Sequence, residues 1–192
     1  MPAVPSVVEA MRETPRAGYL PSGSRRLARI DAPVELGHGS TCSQPSTVRT
    51  MLELLDVREG QSVLDVGSGS GWTTAILARL VGPTGRVLGV EVVEELVQDA
   101  AGRLRRDGLD RAAVRVADPD VLGAPDAAPF DRILVSAMAR ELPGALVDQL
   151  AADGLMVLPL EGQVVSVRVE DDRPRLEPAP GWYRFVPLRT QP

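Results

Sequence analysis

The stretch Val63-Leu64-Asp65-Val66-Gly67-Ser68-Gly69-Ser70-Gly71 decides the fold. A short apolar strand runs directly into glycines, and the segment from Trp72 to Leu80 continues with helical spacing. Glycines at such a turn let the backbone bend sharply and approach a ligand closely. The third glycine of a dinucleotide fingerprint, G-x-G-x-x-G, would fall at Trp72, and no Gly-Lys-Ser/Thr of a phosphate-binding loop follows. The sequence therefore excludes both of those ligand classes.

Two acidic residues farther along extend this pattern. Glu91 ends the next predicted strand about 20 residues after Gly71, where an acidic side chain accepts hydrogen bonds from ribose hydroxyls. Asp118 follows the third strand. Each acid taken alone would be a solvated charge at a strand end, but the glycine loop favours a cofactor site. The G-x-G-x-G spacing behind Asp65 matches the first motif of S-adenosylmethionine-dependent methyltransferases, a resemblance that implies this cofactor and places Asp118 beside its adenine.

From Pro45 onward, predicted helices and strands alternate. The helices begin at Pro45 and span 72–80, 93–106 and 143–150, and the first strands span 61–66, 86–91, 112–116, 132–136 and 155–158. This alternation predicts a Rossmann-like, doubly wound α/β sheet that is mostly parallel. Val164 to Val169 and Trp182 to Leu188 have no helical pattern between them and predict an antiparallel C-terminal hairpin. A short helix is predicted at Val4 to Arg12.

The length of 192 residues is typical of one domain. We expect a single methyltransferase domain over residues 1–192. It would comprise an N-terminal cap with a loop at 1–45, a cofactor-binding core at 46–160 and a C-terminal β hairpin at 161–192.

Composition restricts the partners. The formal net charge is −5 and only 3% of the residues are aromatic, so binding of nucleic acid by bulk charge or base stacking is disfavoured. One cysteine excludes a disulfide framework and a cysteine-rich zinc site, and no metal is expected. No apolar run approaches the ~20 residues of a membrane helix, and no signal peptide is predicted. We therefore expect a cytoplasmic monomer without a membrane partner.

The segment Gly37-His38-Gly39-Ser40-Thr41-Cys42-Ser43-Gln44-Pro45 is small and polar, and we expect a loop that carries a site. It resembles the signature loop of the protein-L-isoaspartate O-methyltransferase family, usually Gly-x-Gly-x-Thr-Ile-Ser-x-Pro. Four further segments resemble that family, so the likeness covers nearly the whole chain: 11–21, 128–133, 149–154 and 183–188. Departures at Cys42, at 117–119 and at 138–140 leave the acceptor open to another peptide, a small molecule or a nucleic acid. The Asn/Asp-Pro-Pro-aromatic motif of nucleobase amine methylation is absent after the fourth strand, which argues against a nucleobase amine.

The resemblance implies methyl transfer to the free carboxylate of L-isoaspartyl, or less readily D-aspartyl, residues in damaged proteins or peptides. It implies Ser43 as the catalytic residue that orients this carboxylate, although Ser43 at this place is also typical of a residue that starts a helix. The predicted cofactor-binding residues are Ser40, Thr41, Cys42, Ser43, Asp65, Gly67, Ser68, Gly69, Gly71, Glu91, Ala117 and Asp118. The predicted substrate-binding residues are Thr41, Ser43, Ser136 and Ala137.

The implied reaction needs no general base. A free carboxyl group has a pKa of ~3.9, so the nucleophile is already ionised at pH 7. The protein has to hold the oxygen, the methyl carbon and the sulfur in line. We therefore interpret His38, the single histidine, as a bystander, and Cys42 as a small packing residue.

Overall fold

The computed structural model describes residues 5–171 and 173–189. Its α-helices are α1 (Val7–Glu13), α2 (Pro45–Leu55), α3 (Trp72–Leu80), α4 (Glu94–Arg106) and α5 (Gly144–Val147). Its strands are β1 (Val34–Gly37), β2 (Ser40–Cys42), β3 (Ser62–Val66), β4 (Arg86–Glu91), β5 (Ala112–Val116), β6 (Phe130–Val135), β7 (Leu150–Leu160), β8 (Gln163–Glu170) and β9 (Arg173–Pro178). Short 3-10 helices lie at Arg16–Tyr19, Ser22–Arg29 and Pro125–Ala127. In the described ranges, no helix has both the length and the hydropathy to cross a bilayer.

Seven strands form the main sheet in the order β5-β4-β3-β6-β7-β8-β9. Strands β3 to β7 are parallel to one another, whereas β8 runs antiparallel to both β7 and β9. The predicted Rossmann-like sheet with an antiparallel C-terminal hairpin is confirmed. From β3 the chain winds outward through β4 to β5, and then crosses to β6 on the other side of β3. Ligands bind in such sheets at the carboxyl ends of the strands beside this reversal.

The central strands β3 and β6 are buried on both faces of the sheet, to which neighbouring residues of a strand point in turn. Val63 and Leu134 pack in one apolar cluster with α2 and α3, while Leu64 and Ile133 pack in a second cluster on the other face. The continuous apolar runs of β3 and β6 follow from this double burial. The rigid core fixes the strand ends that carry the candidate site.

The predicted loop at residues 37–45 is wrong in its first half, because β1 and β2 form an antiparallel hairpin there. The turn residues are His38 and Gly39, enclosed by the pair Gly37 and Ser40, and Val34 pairs with Cys42 at the other end. Small polar residues suit this short two-stranded ribbon as well as they suit a loop, so the pattern did not distinguish the two. Helix α2 begins at Pro45, as predicted.

The predicted strand from Trp182 to Leu188 is also wrong. The hairpin partner of β8 is β9, whose residues Arg173 to Pro178 are all exposed. Two prolines and the lack of a buried face hid this edge strand from the apolar pattern. The 182–188 segment instead crosses the carboxyl edge of the sheet, where Met138 donates its amide to the Val186 carbonyl at 2.7 Å.

Two predicted helices differ in their bounds. The helix predicted at 143–150 is only α5, since the Gln149 carbonyl already bonds the amide of Phe130 in β6, at 2.9 Å. The chain at Leu150 has therefore joined β7. The N-terminal helix is α1, capped by Ser6, which accepts the amide of Glu9. The predicted start of that helix, Val4, lies outside the described residues.

Candidate active site

The glycine loop leaves the carboxyl end of β3 and lies against the neighbouring strand. The amides of Gly67 and Ser68 both donate to the carbonyl of Val90 in β4, at 2.9 and 3.2 Å. Gly67 has a φ of +77°, and a side chain there would have no neighbouring atom closer than 3.9 Å. The backbone at Gly67 is therefore bare toward the cleft, and a ligand can approach it.

Gly71 has a different role, which is close packing. Its φ is +79°, and a Cβ atom added to it would stand 2.8 Å from the Cβ of Ala100 in α4. Only glycine permits this approach of the two helices. The next residue, Trp72, is buried, and its indole Nε1 donates to the Thr14 carbonyl at 2.8 Å. This bond ties the start of α3 to the N-terminal segment.

Glu91 is a buried carboxylate on the wall of the cleft. Its Oε2 accepts the amide of Gly69 at 2.9 Å, and its Oε1 accepts the amides of Val92 and Val93 at 2.8 and 3.1 Å. Three backbone donors fix the orientation of the carboxylate. A carboxylate has about four acceptor sites, so it retains capacity for a hydroxyl of a ligand.

Asp65 lies behind the cleft wall and is fully buried. Its Oδ2 accepts the Thr74 hydroxyl at 2.7 Å, while Oδ1 has no partner among the described residues. Burial raises the pKa of Asp65 to about 7; the Thr74 hydroxyl opposes this and the nearby charge of Glu91 adds to it. This carboxyl group therefore titrates near neutral pH.

The loop after β5 forms another wall of the cleft. The Ala117 amide donates to the Glu91 carbonyl at 2.8 Å, and the exposed Asp118 accepts the amide of Asp120 at 2.9 Å. Apolar side chains of Val121 and Leu122 complete this wall. It is suited to a flat heteroaromatic ring.

Gln149 holds that loop from below. Its side chain is buried, and its Oε1 accepts the amide of Ala124 at 2.8 Å. Its Nε2 donates to the carbonyls of Leu122 and Ala145, at 2.9 and 2.7 Å. Because these bonds use both ends of the amide, Gln149 fixes the path of the loop.

The opposite side of the cleft is built from three segments. The tip of the β1–β2 hairpin contributes Ser40 and Thr41, and the end of β6 contributes Ser136 and Ala137. Ser136 donates its amide to the carbonyl of Val66, at 2.8 Å. The strap 186–189 crosses the cleft, and Arg189 at its end donates to the His38 carbonyl at 3.3 Å. The hairpin and the strap are thus joined above the cleft.

A second groove adjoins the cleft, and Thr41 lines both cavities. Ser43, Gln44 and Thr47 form one side of the groove, and residues 182–185 form the other. Trp182 is 82% exposed there, the largest exposure among the large apolar residues of the described chain. Between Thr41 and Ser43, which line the cavities, Cys42 is buried in the core.

The predicted site residues fall into three groups. Those that line the cleft are Ser40, Thr41, Gly67, Glu91, Ala117, Asp118, Ser136 and Ala137. Ser43 lines the adjoining groove together with Thr41. Those that are buried and do not line either cavity are Cys42, Asp65, Ser68, Gly69 and Gly71.

The cleft fits the implied cofactor. The bare backbone at Gly67 matches the amino-acid part of the cofactor. The oriented acid Glu91 matches its ribose, and the apolar wall at Val121 matches its base. Asp65 and Glu91 make the surroundings suitable for a cationic ligand. The Oδ1 of Asp65 and the hydroxyl of Ser68 are buried without a partner in the described chain.

The sequence patterns did not predict site residues whose contacts join segments far apart in the chain. The strap 186–189, the wall at 121–123 and Gln149 were not predicted as site residues. Their contacts join segments far apart in the chain, such as Gln149 with Ala124, so no local spacing reveals them. The only usable signal was the likeness of 149–154 and 183–188 to segments of one family.

Comparison with known proteins agrees with this geometry. The sequence profile of the family described as "Protein-L-isoaspartate(D-aspartate) O-methyltransferase (PCMT)" matches residues 2–191. A protein-L-isoaspartate O-methyltransferase of Methanopyrus kandleri is 44% identical over 154 residues, which cover 80% of this chain and 68% of the relative. Protein-L-isoaspartate O-methyltransferase 2 of Archaeoglobus fulgidus is 39% identical over 188 residues, covering 96% of this chain and 85% of that one.

A solved structure shows the same architecture. It is a Plasmodium falciparum protein described as a protein-L-isoaspartate O-methyltransferase, crystallised with S-adenosyl-L-homocysteine. The TM-score is 0.85 with 27% identity, over 96% of this chain and 90% of that chain.

Proposed function

The chain belongs to the protein-L-isoaspartate(D-aspartate) O-methyltransferase family, and from this premise we propose that its acceptors are L-isoaspartyl, and less readily D-aspartyl, residues of damaged proteins or peptides. It is an enzyme, an S-adenosylmethionine-dependent methyltransferase with a Rossmann-like fold. The acceptor group in this proposal is the free carboxylate, and the chemical purpose is repair of the damaged residue. The observation that carries the proposal is the junction of cleft and groove at Thr41.

We propose that the cleft holds the cofactor. The Gly67 backbone and the end of β6 would hold its amino-acid part, Glu91 its ribose hydroxyls, and Asp118 with the wall at Val121 its adenine. When bound, S-adenosylmethionine supplies a methyl group on a positively charged sulfur. Glu91 is already oriented by three backbone amides, so binding requires little reorganisation of this side chain.

The groove would receive the acceptor. Ser43 lies in it and is the candidate catalytic residue, since its hydroxyl can donate a hydrogen bond to an acceptor carboxylate. Because a carboxylate is ionised at pH 7, the chain needs to supply position and not a base. Thr41, at the junction, would align the acceptor with the cofactor.

The direct test is transfer of labelled methyl groups to an isoaspartyl peptide, with the matched aspartyl peptide as the control. Selective labelling of the isoaspartyl peptide supports the proposal. Labelling of both peptides alike, or of neither, contradicts it and favours another acceptor for the same cleft.

We also propose that the enzyme acts as a monomer in the cytoplasm. Apart from Trp182 in the groove, the large exposed apolar side chains of the described chain are 38–51% exposed, and Val92 and Val121 among them line the cofactor cleft. Light scattering coupled to size exclusion measures the molar mass directly. The monomer has a mass of 20.5 kDa, and a measured mass of twice that value would contradict the proposal of a monomer.

A further inference from the structure

Arg16 is a buried cation that makes no salt bridge with any residue of the described chain. It begins the 3-10 helix that follows α1, and its guanidinium reaches under the β1–β2 hairpin. A buried charge is costly unless hydrogen bonds compensate it. The groups that surround the guanidinium therefore indicate which part of the site Arg16 stabilises.

The hydrogen-bond acceptors of Arg16 are backbone carbonyl oxygens and the sulfur of Cys42. Its Nη2 donates to the carbonyls of Cys42 and Ser43, at 2.9 and 3.0 Å, and also to that of Ala32 at 2.9 Å. Its Nη1 donates to the Ile30 carbonyl at 3.1 Å, and its Nε lies 3.4 Å from the Cys42 Sγ. These bonds fix the backbone of Ser43, the candidate acceptor contact, and of Cys42 directly before it.

The same guanidinium also touches the cofactor side of the site. It lies over the indole ring of Trp72, with Cζ 5.6 Å from the ring centroid. Trp72 directly follows the glycine loop at the start of α3. Arg16 thus joins the segment that carries Ser43 to the segment that carries Gly67 and Gly71.

The charge of Arg16 acts on the carboxylate of Asp31, which is exposed and forms no salt bridge with it. Hydrogen bonds from the Ser46 amide and the Gln44 amide group, and then the charge of Arg16, hold the pKa of Asp31 below its usual value. Water screens an exposed carboxylate. The positive charge beneath Ser43 is therefore not neutralised by a buried partner.

We propose that Arg16 is a positioning residue of the acceptor site. Its guanidinium holds the backbone of Cys42 and Ser43 in the conformation that receives the acceptor, and its charge favours an anionic group at Ser43. This inference rests on the proposed function, because the acceptor in that proposal is a carboxylate. It also answers how a chain with a net charge of −5 binds an anionic substrate.

Two substitutions separate the geometry from the charge. Arg16→Lys keeps a positive charge but cannot reproduce the planar fork, and Arg16→Gln removes the charge and most of the donors. Arg79→Gln is the matched control, since Arg79 also binds the N-terminal segment, through Thr14 at 3.0 Å and Glu13 at 3.7 Å, without contacting residues 42 or 43.

The kinetic readout is the KM for an isoaspartyl peptide beside the Kd for the cofactor. We expect the KM to rise about fivefold in Arg16→Lys and at least tenfold in Arg16→Gln, with the cofactor Kd within threefold of the wild type. Arg79→Gln should leave both constants within twofold. An unchanged KM in Arg16→Lys, equal KM values in the two Arg16 variants, or a parallel loss of peptide and cofactor binding would overturn the proposal.

A second readout requires no substrate. Hydrogen–deuterium exchange over residues 41–46 should accelerate in Arg16→Lys and not in Arg79→Gln, because of the two arginines only Arg16 bonds the backbone of that segment. Exchange that is equally slow in the wild type and in Arg16→Lys would overturn the positioning role even if the acceptor were another compound. If the proposed function were wrong, the wild-type enzyme itself would not methylate isoaspartyl peptides.

Discussion

The carboxylate of Glu91 accepts the backbone amide of Gly69 at 2.9 Å, so the end of β4 fixes the glycine loop directly. The two residues are 22 positions apart in sequence and lie at adjacent strand ends. One acid therefore orients the loop and also faces the cleft. This hydrogen bond links the two strongest motifs in the sequence, the glycine loop and the acid at the end of the next strand.

Replacement of Glu91 by glutamine tests this link. The NH2 of Gln would replace either the oxygen that accepts the Gly69 amide or the oxygen that accepts the amides of Val92 and Val93, and a buried donor left without a partner costs about 1–3 kcal/mol. We expect the Kd for S-adenosylmethionine to rise at least tenfold in calorimetry while the circular dichroism spectrum is unchanged. Glu94→Gln, on exposed α4, is the control and should bind as the wild type does.

Asp65 predicts an unusual pH dependence of stability. Its pKa is about 7 in the folded protein and 3.8 in the unfolded chain, so the folded state binds the proton more tightly. Its contribution to stability is therefore full below pH 3.8 and is lost as the pH rises through 7. Between pH 5 and pH 8 this loss should be on the order of 2 kcal/mol.

Urea denaturation of the wild type and of Asp65→Asn at pH 5 and pH 8 measures the effect. The asparagine variant can still accept the Thr74 hydroxyl but cannot ionise. The free energy of unfolding should fall more steeply with pH in the wild type than in the variant. Equal slopes would show that Asp65 is ionised throughout this range.

Ser43→Ala tests the candidate catalytic residue. The hydroxyl lies in the groove, where the described chain shows no hydrogen bond that uses it, so its loss should leave the fold and cofactor binding intact. We expect methyl transfer to an isoaspartyl peptide to fall more than tenfold. Ser46→Ala, three residues later in α2, is the matched control and should retain activity. Normal turnover in Ser43→Ala would remove Ser43 from the mechanism.

Gln149→Ala tests the support of the adenine wall. The substitution leaves the amide of Ala124 and the carbonyl of Leu122 without their buried partner. The loop should loosen, and we expect the cofactor Kd to rise about fivefold or more. Gln98→Ala, on exposed α4, is the control. Unaltered cofactor affinity in Gln149→Ala would show that the loop keeps its path without this side chain.

Local sequence patterns predicted those elements whose structure is determined by residues close to one another in the sequence. The glycine loop, the strand that ends at Glu91 and the helix from Trp72 to Leu80 each depend on residues within one turn or one strand. The edge strand β9 was missed because it has two prolines and no buried face. The strand predicted at 182–188 was an error of the opposite kind, since its apolar residues pack across the sheet edge as a strap.

The site shows the same division. Positions such as Gly67 and Glu91 could be predicted from spacing, and both line the cleft. Arg16 acts on Ser43 from 27 residues away, and no periodicity indicates such a contact. The division of residues 1–192 into cap, core and hairpin stays a prediction.

If this chain esterifies the carboxylate of isoaspartyl residues, the product is a methyl ester that alkali cleaves. Incubation with methyl-labelled S-adenosylmethionine and an isoaspartyl peptide, followed by mild alkali, measures this. An ester releases its methyl group as methanol, whereas a methylated amine retains it. We expect labelling of the isoaspartyl peptide over the aspartyl control, with the label lost in alkali. Alkali-stable label, or equal labelling of the two peptides, would contradict this expectation.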